Sequence, residues 1–422
     1  MQSTLCRTVF VALSVGLAVA ACSEPDAANL FATGSSGAGG APTSSGGGEG
    51  GATGGGGAAG GVGEAGAGGG GGGGGEGPVV VEPPVCGDTY VDCDADDEGT
   101  CEVNVMGDAL HCGTCPVECE GSCQNGSCVA TRTHAVGLRD PLFIAASGGN
   151  LFWTNGNGRS VMQWSREGDA TITLAEEQVR PSDIKADATH VFWANEGEYG
   201  ESTGEIVRAQ IGGGEEPVVL AAAQAAPFGV ALDDEYVYWT NRERSGAVIR
   251  ARKDSDGNGP FVTIWSRAGT PHAIAVDTTH VYWTVRSQGG RVMSAPKGSD
   301  GEGPFTTIAV DQGEVREIAV DATHVYWTTS STGNVMRAPK DGSGEPAAIA
   351  TGLGNPRGIV ADRTGVYWTD PTSPNIMKMW PNGILGAFVA GEPSPYGIAL
   401  DAERVYWTNG LGTDGSVMSA RK

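Results

Sequence analysis

The chain has 422 residues, with 50 acidic against 26 basic side chains and 70 glycines. A formal charge of −24 excludes a phosphate-tracking nucleic-acid partner, which needs clustered Lys and Arg. The charge is uneven: no Lys or Arg occurs between Thr8 and Thr131, whereas from Arg132 onward 25 basic residues stand against 34 acidic ones, with enough Val, Ile, Trp and Tyr for a sizeable core.

Residues 1–21 read as an export signal. Arg7 supplies the positive start, and Thr8 to Ala18 is an apolar run too short to span a bilayer. It ends in Val19-Ala20-Ala21-Cys22, which resembles the bacterial lipobox. The resemblance implies cleavage after Ala21, a diacylglycerol on the Cys22 thiol and an acylated new amino terminus. Two or three acyl chains hold a protein stably at a membrane where one is marginal. Ser23, where an inner-membrane retention signal has Asp, leans by the same analogy toward the outer membrane or the cell surface. An ordinary signal peptide with an incidental cysteine is the alternative.

Residues 22–84 are the lipidated start and a Gly-rich tether. The segment from Ala32 to Pro84 is Gly, Ala and Ser with scattered Glu, and Gly68 to Gly75 is pure glycine. No side chain there offsets the entropy of ordering the backbone, so a disordered leash with an end-to-end distance of roughly 40 Å is expected.

Residues 85–130 form a small cysteine-rich module: Cys86, Cys93, Cys101, Cys112, Cys115, Cys119, Cys123 and Cys128. Few large apolar residues accompany them. An even cysteine count in an exported chain reads as four disulfides, whose pairing the sequence leaves open. Cys112-x-x-Cys115 with Cys119 and His111 has zinc-like spacing as the alternative. Asp92-Cys93-Asp94, Gly99-Thr100-Cys101-Glu102 and Cys112-Gly113-Thr114-Cys115 resemble short cysteine-rich repeats of bacterial surface proteins. That resemblance implies no activity.

Residues 131–422 repeat. An apolar residue, an aromatic and Trp recur at Trp153, Trp193, Trp239, Trp283, Trp327, Trp368 and Trp407, at spacings of 40, 46, 44, 44, 41 and 39. Four short strands per unit at this period indicate β-propeller blades. In one unit they are Ala273 to Val276, Val281 to Thr284, Arg291 to Ala295 and Phe305 to Ile308, punctuated by Gly, Asp and Pro. The last unit stops after its third strand, and His134 to Leu138 is the candidate for its missing fourth, a closure that leaves no raw edge. The expected fold is all-β, a seven-bladed propeller.

The pattern Pro356-Arg357-Gly358-Ile359-Val360-Ala361-Asp362 followed by Val366-Tyr367-Trp368-Thr369-Asp370 resembles the Tyr-Trp-Thr-Asp repeat of low-density-lipoprotein-receptor class B propellers. The resemblance covers about 290 residues and implies a rigid disc that binds protein partners. That family has six blades, which stands as the alternative count. The terminal Asp survives here as Asp370 alone; its counterparts are Asn155, Asn195, Asn241, Val285, Thr329 and Asn409.

Residues that repeat in every unit are read as structural. The Trp and Tyr are core spacers, and Asp187, Asp233, Asp277, Asp321, Asp362 and Asp401 cap tight turns that also hold His190, His280 and His324. Positions that differ while their neighbours repeat carry the functional signal. Just before each first strand stand Leu142, Ser182, Phe228, His272, Arg316, Arg357 and Tyr396, expected to ring the channel mouth, with Arg242, Arg244 and Arg286 from loops on the same face. Phe228, Arg242, Arg244, His272, Arg286, Arg316, Arg357 and Tyr396 are the candidate seat of an anionic or sugar ligand. Against this, Glu243, Glu314, Glu317 and Asp370 are placed to neutralise the arginines.

No serine elbow or His-Glu metal motif occurs, and neither cofactor nor metal is expected. The reading is a lipid-anchored envelope protein binding a protein or glycan ligand, and not an enzyme. Propeller lyases, including a seven-bladed one acting on cyclic antibiotics, use a single histidine on this face. A lyase or hydrolase centred on His272 is therefore one alternative, and a structural envelope component without a discrete ligand is another.

Overall fold

The computed structural model describes residues 90–91, 103–104, 121–124 and 127–422, apart from 244, 258, 268, 288 and 411. The export signal, Cys22, the Gly-rich segment, Cys86, Cys93, Cys101, Cys112, Cys115, Cys119 and Arg244 lie outside the described residues. Cys123 and Cys128 fall on described backbone, as Cα partners in a hairpin of Gly121–Gln124 with Ser127–Leu138.

Among the described residues, a two-stranded pairing of Tyr90–Val91 with Val103–Asn104 is followed by seven antiparallel sheets of four or five strands, so seven blades replace the six of the resembled family. Blade 4 shows the plan: Pro271–Val276 innermost, then His280–Val285, Arg291–Pro296 and Thr306–Ala309 at the rim. The seven Trp side chains are fully buried between blades. Each second strand is buried on both faces, and alternation divides it between neighbours: Val281 and Trp283 pack toward blade 3 and Tyr282 toward blade 5.

The expected closure forms. Ser127–Leu138 pairs with Gly415–Arg421, matching Val417 to Ala135 and Gly415 to Leu138. Strands from both ends of the repeat region thus complete blade 7, and Gly121–Gln124 adds a fifth strand outside them. The ring has no open inner seam.

Two repeated devices join blade to blade. The first uses the Thr that follows the Trp in six of the seven blades. The inner strand is bulged at its start, as between Pro271 and Ile274, which takes a backbone N–H out of the ladder. Ala273 donates that N–H to Thr284 Oγ1 at 3.0 Å, and Thr284 donates onward to the Arg316 carbonyl of blade 5 at 3.0 Å. Thr328 and Thr408 repeat the onward bond, to Arg357 and Leu142. Blade 2 has Ala194 at this position, and Ser182 supplies the missing hydroxyl, donating to the Phe228 carbonyl at 3.1 Å.

The second device sits on the opposite face. Each turn aspartate accepts backbone N–H groups with Oδ1, one at Asp362 and two at the others, as Asp277 does from Thr279 and His280 at 2.7 Å. The other oxygen of Asp277 accepts from Tyr282 of its own blade and pairs with Lys340 of the next. Lys253 to Asp187, Lys297 to Asp233 and Lys422 to Asp362 repeat the step. His190, His280 and His324 belong to these turns, each with Nδ1 at 2.8 Å from a Thr hydroxyl.

Candidate functional site

The first strands surround a central channel of about 630 Å³, lined at one end by all seven of Leu142, Ser182, Phe228, His272, Arg316, Arg357 and Tyr396. Arg242 joins them from the loop after the second strand of blade 3. Arg286 stands one step out, in an adjoining groove of about 930 Å³.

The residue after each ring position decides how the lumen is filled. In blades 3, 4, 6 and 7 it is Gly229, Ala273, Gly358 and Gly397. The next blade comes so close that a Cβ on Gly229 or Gly397 would lie 2.5 or 2.2 Å from its carbonyl oxygen. In blades 1, 2 and 5 the position holds Phe143, Asp183 and Glu317, and these side chains line the channel. They were missed as ligand-site candidates. Their signal was present: three large or charged residues at a position otherwise kept small.

Phe143 completes an aromatic arc. Its ring stands edge-on to Phe228 at 5.4 Å and to Tyr396 at 5.9 Å, and Phe228 meets His272 at 4.1 Å. Asp183 is buried and fully engaged: it accepts the Val230 N–H at 2.9 Å and pairs with Lys185. Glu317 faces the lumen with Oε1 3.9 Å from His272 Nδ1. Burial and the nearby Asp183 carboxylate push Glu317 up to about 7, against the pull of Lys185, Arg316 and Arg357. His272 is only 3% exposed, and its Nδ1 has no hydrogen-bond partner. Burial, reinforced by Arg242, Arg286, Arg316 and Arg357, holds the imidazole well below its ordinary value, so it is neutral at neutral pH.

The arginines are neutralised selectively. Glu314 pairs with both Arg286 and Arg316, the latter at 3.0 Å. Glu196, which the sequence reading did not single out, pairs with Arg180 and with Arg242 at 2.6 Å. Glu317 lies deeper, against His272, and Glu243 lines the outer groove. Asp370, expected to neutralise an arginine, instead accepts backbone N–H groups from Gly354, Asn355 and Thr372. Among the described residues no carboxylate pairs with Arg357. Its guanidinium lies 5.5 Å over the Tyr396 ring, and its Nε is buried without a partner.

The Asn that stands where the resembled repeat has its terminal Asp has a physical role in three blades. Gln178 Oε1 accepts from Trp193 Nε1 at 2.9 Å and from Asn195 Nδ2 at 2.8 Å. Gln224 does the same for Trp239 and Asn241, and Glu392 for Trp407 and Asn409. An Asp has no N–H to donate there.

No family model and no curated protein sequence matches the chain. The fold is similar to that of a streptogramin B lyase, at 12% identity and TM-score 0.57, over 69% of this chain and 98% of the lyase. It is similar to a catalytically inactive histidine-to-alanine variant of virginiamycin B lyase from Staphylococcus aureus with quinupristin, at 14% identity and TM-score 0.56, over 70% and 99%. A nidogen from a nidogen/laminin complex aligns at 18% identity and TM-score 0.46, over 59% and 97%.

These likenesses correct one expectation. The sequence points away from an enzyme, yet solved structures of similar seven-bladed fold include lyases. The architecture is therefore one that hosts catalysis as well as binding, and the absence of a familiar catalytic motif does not exclude an enzyme. At these identities the shared property is the fold, and the fold does not fix the chemistry.

Proposed function

We propose that the channel face binds an acidic sugar unit. Its carboxylate is held between Arg316 and Arg357, and the apolar face of its ring lies against the arc of Tyr396, Phe143 and Phe228. The observation that carries this reading is Arg357, a partly buried cation without a carboxylate of its own beside three arginines that are each paired. An unpaired guanidinium at a lumen is costly until an anion completes it, and its planar fork suits a carboxylate. Titration of the full chain with glucuronate tests this: Arg357→Ala loses binding and Arg286→Ala keeps it. Equal affinity in wild type and Arg357→Ala removes the reading.

A second reading adds turnover at the same place. It is favoured by His272 Nδ1, which is buried, unpartnered and adjacent to a Glu317 carboxyl that holds its proton near neutrality. A neutral imidazole beside a protonated carboxyl is a ready acid–base pair. Conversion of an acidic oligosaccharide by wild type and its loss in His272→Ala, with glucuronate binding retained, supports it; no product from either sinks it.

The setting is proposed from sequence. A lipid on Cys22 and the Gly-rich tether display the propeller at the cell envelope, on the outer membrane or cell surface. Metabolic labelling with a fatty acid tests this: the label enters wild type and is absent from Cys22→Ser. Unlabelled wild-type protein contradicts it.

A further inference from the structure

A line of alternating charges and rings leads outward from the channel. Arg242 lies 4.2 Å over Phe228 and pairs with Glu196. Glu196 also pairs with Arg180, and Arg180 lies 5.6 Å over the ring of Tyr199. Arg180, Glu196 and Arg242 line both the channel and the outer groove, so the two cavities share a wall. Tyr199, at the groove's end, is 91% exposed.

The loop carrying Tyr199 is built to present it. Glu198 donates its N–H to Thr203 Oγ1 at 2.8 Å across the base. Gly197 has φ +78°, and a Cβ there would lie 2.5 Å from the Gly204 nitrogen, so only glycine makes this turn. An exposed tyrosine ring held against a cation, rather than folded into the core, is a stacking platform.

We infer that the ligand site continues from the channel mouth to Tyr199, and that the ligand is an oligosaccharide with an acidic terminal unit in the channel and an uncharged sugar stacked on Tyr199. The inference rests on the acidic-sugar reading above. The outer unit is uncharged because the groove's cations Arg180, Arg242 and Arg286 are already paired with Glu196 and Glu314, leaving Glu198, Glu201 and Glu243 to repel a second carboxylate while accepting hydrogen bonds from hydroxyls. A protein partner would need an apolar patch to bury, and among the described residues Tyr199 is the one large exposed hydrophobic side chain in this groove.

The test is calorimetric titration of the full chain with glucuronate and with glucuronosyl-xylose and its longer neutral-extended homologues. Wild-type affinity rises about fivefold to tenfold with length. In Tyr199→Ala glucuronate binds as in wild type and the gain with length is gone. Affinity that stays flat with length in wild type, or a gain that survives Tyr199→Ala, overturns the extended site alone. Failure of wild type to bind glucuronate and every homologue overturns the acidic-sugar reading and this inference with it.

Discussion

His272 and Glu317 face each other across the join of blades 4 and 5, with Nδ1 3.9 Å from Oε1. Neither has the charge it would carry in water at a mildly acidic pH. Burial keeps the imidazole neutral and pushes the carboxyl up to about 7. Arg357 therefore sets the sign of the lumen when Glu317 is protonated, and Glu317 offsets it when ionised.

Anion binding should strengthen as the pH falls through about 7. Protonation of Glu317 removes a negative charge from the lumen, and one charge at this range in partly buried surroundings is worth about tenfold in affinity. Glu317→Gln should bind glucuronate with the same affinity at about pH 6 and about pH 8. A wild type without this pH dependence contradicts the placement of Glu317 at the ligand.

The same group shapes stability. In the unfolded chain Glu317 ionises at its ordinary value, whereas the folded chain holds the proton to about 7. Stability from this group is complete below the ordinary Glu range and is lost as the pH rises through the folded value. Denaturant titrations across that window should show the slope in wild type and a smaller one in Glu317→Gln.

Ser182 stands in for a threonine. Its hydroxyl reaches the Phe228 carbonyl that a Thr at position 194 would otherwise reach. Ser182→Ala should cost about 1–2 kcal/mol by leaving that buried carbonyl unpaired. Adding Ala194→Thr should restore most of the loss, measured as the denaturant midpoint. Full additivity of the two changes would show that the hydroxyls are not interchangeable.

The lysine–aspartate links on the opposite face should govern acid resistance. Asp277 is held below the usual carboxylate range by Lys340, the Thr279 and His280 N–H groups and Tyr282, which together outweigh its burial. A depressed folded pKa contributes stability at neutral pH that is lost as the pH falls through the carboxylate range toward the folded value. Asp277→Asn should be less stable at neutral pH and lose less on acidification. Parallel pH–stability curves for the two proteins would refute the link.

The fold was legible because its evidence is periodic. Trp153 to Trp407 recur at blade spacing, and His134 to Leu138 stood out as a strand looking for a partner. The channel ring was legible for the opposite reason, as positions that vary inside a repeat. The charge pairing was not. Glu196 lies just past a second strand, in a loop whose path no repeat determines, and Asp370 holds a repeat position that is Asn, Val or Thr in the other blades, so the sequence could not assign Glu196 to Arg242 or Asp370 to a backbone cap. Phe143, Asp183 and Glu317 became visible as lumen residues once the close approach at Gly229 and Gly397 explained why their position is elsewhere small.

The most direct measurement is a glucuronate titration of wild type beside Arg357→Ala and Arg286→Ala. Arg357 lacks a carboxylate partner among the described residues, whereas Arg286 is paired with Glu314. Wild type should bind, Arg357→Ala should lose binding and Arg286→Ala should change little. Equal binding by all three, or binding by none, would contradict an acidic-sugar site at the channel mouth.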